Sequence, residues 1–263
     1  FRLAAALGGL ALALGLERWR PLRGHPRSAL PDDLRNLALW GAGALVVQAL
    51  PFAGALGASE LARLAGLGLF QRLALPGPLE IAATIVALDA GTYALHRLYH
   101  TVHPLWRLHR VHHSEERLTT TTGVRFHPGE VAVSALGRMA LVVALGADLI
   151  AVVAFETLLL AASQLEHADV RLPAALDRRL RLVVITPSLH RTHHATHRAL
   201  ADSNFGTILS VWDRLFRSYR PQVRPEDVVV GLPDGGDAPA SLGGLLAMPF
   251  VAERAERTRV ARG

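Results

Sequence analysis

Residues 131–163 are almost wholly apolar and too many for one simple membrane span, which takes about 20 residues of helix. They are interrupted at Gly146, Ala147 and Asp148. That pattern belongs in lipid and predicts two short helices turning back within the membrane as a tight hairpin. Residues 79–95 read as a further span running into the first of many histidines. Residues 36–58 are long enough to cross, with Trp40 near one interface and Pro51 tolerated as a kink. Residues 3–16 form a shorter run that Glu17, Arg18 and Arg20 stop. With no basic segment before it and no small-residue cleavage site after it, this run reads as a clipped or short membrane helix, not a signal peptide. Residues 61–75 carry Arg63 and Arg72 and meet Pro76-Gly77-Pro78, which suits an interfacial or re-entrant piece.

Composition agrees. Of 263 residues, 51% are apolar and 19% charged, and with 6% aromatics the apolar content is mostly Ala, Leu and Val. This suits helices in lipid better than a β-rich core and excludes a disordered chain. There is no cysteine, which excludes disulfides, thiolate metal sites, iron–sulfur clusters and a cysteine nucleophile, so any metal must use His, Asp or Glu. The 28 basic residues are all arginine and are scattered along hydrophobic segments without a basic tail, which argues against nucleic acid as a partner.

Arginine placement sets the orientation. The 17–35 connection holds Arg18, Arg20, Arg23, Arg27 and Arg35, and 97–125 holds Arg97, Arg107, Arg110, Arg117 and Arg125, so both should face the cytoplasm. The expected organisation is N-terminal membrane spans over 1–95, a histidine-rich region over 96–220 that includes the hairpin, and a C-terminal loop and amphipathic tail over 221–263. The expected fold is all-α: an integral membrane helical bundle with a cytosolic-face helical cap from 96–130 and 164–220.

Thirteen histidines are present; His25 stands alone and the other twelve lie between His96 and His197. His96 and His100, four apart, share one face of a helix. His109, His112 and His113 use the spacings i, i+3 and i+4, and the same triple recurs as His190, His193 and His194. Isolated histidines are more often surface or satisfied side chains, and His25 and His103 read that way. Eight clustered imidazoles exceed the three or four that one zinc or iron takes, so two metals are the economical reading. His127 and His167 lie between the triples, placed to complete the two ligand sets, and His197 trails the last triple without a repeated spacing. An all-nitrogen set favours Fe, Cu or Zn over Mg or Ca. Zinc would support hydrolysis, whereas paired iron supports O₂ chemistry.

Asp89 lies on the ligand face of an otherwise apolar span, seven residues before His96. An ionisable group there is functional by default. It is expected to accept the ring N–H of a metal-bound histidine and fix its tautomer, or else to bond a neighbouring helix. Asp202 and Asn204 either partner the last triple or cap the following helix. Trp212 reads as packing.

The ordered series Asp89, Tyr93, His96, His100, Leu105-Trp106-Arg107-Leu108-His109, Val111-His112-His113-Ser114 and Arg125-Phe126-His127-Pro128 resembles the first two histidine boxes of the fatty acid hydroxylase/sterol desaturase superfamily, integral membrane non-haem di-iron enzymes. His190–His194, Asp202-Ser203-Asn204-Phe205-Gly206 and Trp212-Asp213-Arg214-Leu215-Phe216 resemble its third box and closing signature. The resemblance covers roughly residues 80–220. It implies a membrane anchor under a cytoplasmic cap, two iron ions between them, O₂ as co-substrate, a lipid chain entering from the bilayer and an external electron donor. Some family members carry His-x-x-x-His before the third box, whereas here Ser163 stands four residues before His167. One ligand would then come from His127, from water, or not at all. The expectation is that no cytochrome b5 domain is fused and that electrons come from a separate ferredoxin, cytochrome or reductase.

The expected function is O₂-dependent hydroxylation of a C–H bond of a membrane lipid, such as an acyl, sterol-like or isoprenoid chain, in the bacterial inner membrane. Desaturation of such a lipid is the alternative. A non-catalytic metal-binding or transport protein fits less well, because its polar groups should line a midplane pathway instead of clustering at span ends. Zinc is expected as a substitute in purified protein, given its higher affinity for nitrogen sites. Reporters fused after Arg35 and after Arg125 should give the same cytoplasmic signal and one after Gly66 the opposite; unlike signals at the first two would refute this topology.

Overall fold

The computed structural model describes residues 2–23, 30–51, 54–73, 75–221, 224–233, 236 and 238–251. Among the described residues there are thirteen α-helices: α1 (Arg2–Trp19), α2 (Leu30–Ala49), α3 (Ala55–Ala65), α4 (Leu69–Leu73), α5 (Gly77–Thr101), α6 (His103–His113), α7 (Pro128–Leu145), α8 (Leu149–His167), α9 (Ala174–Leu180), α10 (Pro187–His193), α11 (Arg198–Ala201), α12 (Val211–Leu215) and α13 (Leu242–Ala247). Among the described residues β-structure is limited to three isolated bridges, so the fold is all-α. His25 lies outside the described residues, as does the tail beyond residue 251.

Three helices, α5, α7 and α8, are long and apolar enough to cross a membrane. Their ends follow from local chemistry. Proline stands in the first turn of α5, α6, α7 and α10, where its missing N–H costs nothing and its fixed φ suits the helix. The interruption read at 146–148 is a helical hairpin: α7 ends at Gly146 in the left-handed conformation (φ 66°), and Asp148 caps α8 by accepting from the Ile150 N–H at 2.7 Å. A Cβ on Gly146 would meet the Leu67 carbonyl oxygen at 2.4 Å, so the hairpin tip is glycine for both conformation and contact.

The span expected over 36–58 is corrected. Helix α2 stops at Ala49, and α3 starts again after Gly54, whose φ of 81° no helix accommodates. Pro51 supplies no N–H and disfavours helix in the residue before it, so the chain turns there instead of kinking. The piece expected over 61–75 is likewise split, α3 ending at Gly66 (φ 62°) before the short α4. These helices cover the hairpin end of the bundle: Ser59 donates to the Ala147 carbonyl at 2.7 Å, and Ala58 shares a core with Leu88, Val142, Ala147, Val152 and Phe155.

The opposite end carries the cap. There the Arg171 N–H donates to the Arg20 carbonyl at 2.8 Å, the Leu22 N–H to the Asp169 carbonyl at 2.9 Å, and Thr121 to Asp33 at 2.6 Å. The arginine-rich connections therefore share one end of the bundle and the 54–76 segment the other. Buried Arg125 ties cap to bundle, donating to Asn36 Oδ1 at 2.8 Å, Ser114 Oγ at 2.9 Å and the Val111 carbonyl at 2.9 Å, with Glu115 at 3.4 Å. Part of the segment read as C-terminal loop is core: Leu232, Leu245 and Met248 bury against Leu39 of α2 and Val111 of α6.

Gly123 sits where a Cβ would lie 2.4 Å from the Ser163 carbonyl, whereas Gly41 on α2 faces open space. Gly123→Ala should lower the unfolding temperature of the protein in detergent. Gly41→Ala should raise it slightly, since alanine is favoured over glycine in a helix by roughly 0.5–1 kcal/mol.

Candidate metal centre

Four elements converge on one buried point between spans and cap. The last turns of α5 present His96 and His100, α6 presents His109, His112 and His113, the end of α8 presents His167, and α10 with its C-cap presents His190, His193 and His194. The nine fall into two groups whose nitrogens all lie within 4.8 Å of one another: His96, His100, His109, His113 and His193, and His112, His167, His190 and His194. Helix geometry explains the division. In each triple the i and i+4 residues point nearly together and i+3 lies about 100° from i+4. Thus His109 and His113 join one group and His112 the other, and reciprocally His190 and His194 join the second and His193 the first.

Hydrogen bonds at the outward ring nitrogen fix the tautomers of six of the nine. Nδ1 of His96 faces the Phe205 carbonyl at 2.8 Å, that of His193 the Ser203 carbonyl at 2.7 Å, that of His167 the Ser163 carbonyl at 2.6 Å and that of His112 the Arg125 carbonyl at 3.2 Å. Carboxylates serve two more, Glu130 at 2.6 Å from His109 and Asp202 at 3.3 Å from His100. Each acceptor requires Nδ1 to carry the proton, which leaves Nε2 a bare lone pair. The Nε2 atoms converge: those of His112 and His167, both bare, lie 3.0 Å apart, and His167 and His190 approach at 2.9 Å, His190 and His194 at 3.1 Å, and His100 and His113 at 3.1 Å. The Nε2 atoms of His96, His109 and His193 are buried with no hydrogen-bond partner. Lone pairs converging in this way repel unless a cation lies between them, so the donor set fits two metal ions, nitrogen-rich and free of thiolate. Burial, first, and the neighbouring imidazoles, second, hold His112, His113, His190 and His194 well below the usual histidine range. The same causes push His193 down to about 3. All are therefore neutral, the state in which imidazole binds metal.

A cavity of about 560 Å³ runs from this cluster into the membrane half, walled by α5, α7 and α8. His96 and His109 of the first group and His112, His167 and His190 of the second line its inner end. Its flanks are helical stripes, including Leu88 and Leu95 on α5, Leu141 on α7, and Leu159 and Leu160 on α8.

Nine of the ten histidines named from the sequence come together; His127 does not. Its Nδ1 accepts the Gly129 N–H at 3.0 Å, and its Nε2 faces the Leu246 carbonyl at 3.2 Å, so it caps α7. The following Pro128 holds His127 in the extended conformation of a cap, a signal present in the sequence. Asp89 is also corrected, since its carboxylate touches no histidine. It accepts from the N–H groups of Ile208 (3.3 Å) and Leu209 (3.1 Å) and from Trp212 Nε1 (2.8 Å), pinning the closing signature to α5. Asn204 acts on the histidines through backbone. In the left-handed conformation (φ 52°), it donates to the Leu189 and Arg220 carbonyls and accepts the Arg220 N–H. This holds the Ser203 and Phe205 carbonyls on either side of it against His193 and His96. Asp213 secures the same loop by accepting from the Phe205 and Gly206 N–H groups.

Two carboxylates escaped the sequence reading. Glu130, in the first turn of α7, accepts from His109, and Tyr99 stacks on the same imidazole at 5.3 Å and 13°. Glu166, beside His167, lies 3.6 Å from His190 Nδ1. An acid within three residues of a histidine, Glu130 after His127 and Glu166 before His167, is the signal that would have found both.

Metal analysis of purified protein should find two equivalents. His109→Ala and His193→Ala should lower that content, whereas His127→Ala should keep it and lose about 0.5–2 kcal/mol of stability with the cap. Glu130→Gln should weaken metal binding by about 10- to 100-fold. Full metal occupancy in His193→Ala would contradict the grouping.

The fatty acid hydroxylase family matches over residues 81–218, just over half of the chain. Ornithine lipid hydroxylase OlsE of Rhizobium tropici is 32% identical over 177 residues, covering 66% of this chain and 51% of that protein. Alkylglycerol monooxygenase of Homo sapiens is 29% identical over 151 residues, covering 57% of this chain and 32% of its own length. Its Danio rerio counterpart is 30% identical over 148 residues, covering 56% and 31%. The chain thus spans about half, or a third, of the curated relatives it matches, and no solved structure matches it. The matched segment contains all nine converging histidines with the loop that fixes two of them, and the chain belongs to the fatty acid hydroxylase family.

Proposed function

We propose that this chain hydroxylates a C–H bond of a membrane lipid at a pair of irons held by the nine histidines. The observation that carries this reading is the cavity, which is apolar along its flanks, walled by membrane-length helices and lined at its inner end by histidines of both groups. Two irons bound there would supply the O₂ activation that an unactivated C–H bond demands. The chain supplies the rest. The stripes on α5, α7 and α8 bind and align the lipid chain so that one carbon faces the histidine cluster, and burial beneath the cap excludes water from the reaction. Backbone carbonyls and Glu130 hold the imidazoles in the binding tautomer.

The balanced reaction converts the C–H bond, O₂, two electrons and two protons into the alcohol and water. The electrons come from a separate ferredoxin, cytochrome or reductase. The cap, with its arginine-rich connections, faces the cytoplasm of a bacterial inner membrane. Histidines clustered at one end of the spans favour catalysis over transport. The named activities of the relatives favour hydroxylation over desaturation and make ornithine lipids and alkylglycerols the first substrates to try.

Membranes of cells producing the chain, supplied with isotopically heavy O₂, should contain a lipid that has gained one heavy oxygen atom. That species should vanish in His112→Ala. A lipid that instead loses two hydrogens would mark desaturation, and an unchanged lipid profile with iron bound would contradict the reading.

A further inference from the structure

Midway along the cavity its wall changes character. Arg138, in the middle of α7, and Glu156, in the middle of α8, form an ion pair with Nε 2.9 Å from Oε1, and both line the cavity. Their side chains remain 21% and 19% exposed, so the pair is open to what enters. Leu141, one turn along α7, and Leu159 and Leu160, one turn along α8, surround it with hydrocarbon. Charges at this depth are costly and need a reason. Helix-to-helix attachment is a weak one, since apolar residues of similar volume usually join helices as well or better. A guanidinium has five N–H donors and one carboxylate engages two at most, which leaves donors over for a group that enters the cavity.

We propose that Arg138 and Glu156 form a polar station that selects lipid chains carrying a hydroxyl or carbonyl oxygen at a set distance from the carbon presented to the histidines. The inference rests on the hydroxylase reading and adds its substrate class. The distance follows from helix rise. Arg138 lies eight residues along α7 from Glu130, about 12 Å, and Glu156 lies eleven residues along α8 from His167, about 16 Å. At about 1.2 Å per bond of extended chain, that is roughly ten to fourteen bonds. An oxygen at that position accepts from the spare guanidinium donors; an unadorned chain leaves them unmet.

The test measures binding, so that its failure and that of the hydroxylase reading are distinguishable. Full-length protein in detergent, with its metal content checked, is titrated by native mass spectrometry with octadecanol and with keto-octadecanols whose carbonyl is moved along the chain. One carbonyl position should bind roughly ten- to a hundredfold more tightly than octadecanol, the effect of a hydrogen bond to a charged donor. Arg138→Met/Glu156→Met should abolish that preference while keeping octadecanol binding and metal content. Arg138→Gln, which still donates to Glu156, is the second variant should the first not fold, and it too should lose the preference. Equal binding of all chains by the unaltered protein, or a preference that survives either variant, would overturn the proposal whether or not the protein oxidises lipids.

Discussion

The arrangement depends on hydrogen bonds from Nδ1 to acceptors fixed by the fold. An imidazole binds through Nε2 only while its other nitrogen holds the proton, and here that proton is claimed by the carbonyls of Arg125, Ser163, Ser203 and Phe205 and by Glu130 and Asp202. Much of the remaining polar structure keeps those acceptors in place. Asp89 and Asp213 clamp the 203–213 loop, the left-handed Asn204 orients its two neighbouring carbonyls, and Arg125 anchors the segment that faces His112. Removing an acceptor from such a network leaves a ring free to change tautomer or rotate, so the effect would reach a bound metal without a change in its ligands.

The bundle divides the labour along its axis. At one end Gly146 and the α3–α4 segment close the hairpin around an apolar core. At the other, charged and hydrogen-bonded residues join the first two helices to the cap. The cavity runs between, and on the proposed reading a lipid chain would stay in hydrocarbon while one of its carbons reaches the nitrogen-lined chamber. Family membership and this geometry bear on different parts of the account. The family match, over residues 81–218, takes in the histidines and the helices of the cavity wall alike, whereas the substrate class is argued from the geometry of the Arg138–Glu156 pair.

What could be read from the sequence was set by periodicity. Spacings of three and four residues locate the His triples on single helix faces, and proline and glycine mark the ends of α5 and α7, so the hairpin and all nine converging histidines were legible. The division of each triple between the two histidine groups was not, because it depends on how α6 and α10 face each other across the cluster. His127 misled because its composition matches a ligand; the Pro128 that makes it a cap was read as part of a motif. Asp89 misled for a related reason: an intramembrane acid needs partners, and the sequence does not show that the loop before α12, together with Trp212 of α12, provides three N–H groups. The break between α2 and α3 was missed because proline is tolerated within membrane helices, and Gly54 decided the matter.

X-ray absorption at the iron edge of the reconstituted protein tests the central claim most directly, because outer-shell scattering from imidazole rings reports how many histidines each metal holds. Nine imidazoles shared by two metals predict two irons per chain with four to five imidazole nitrogens each on average. A single iron per chain, or a shell of mostly oxygen with two or fewer imidazoles per metal, would contradict the account.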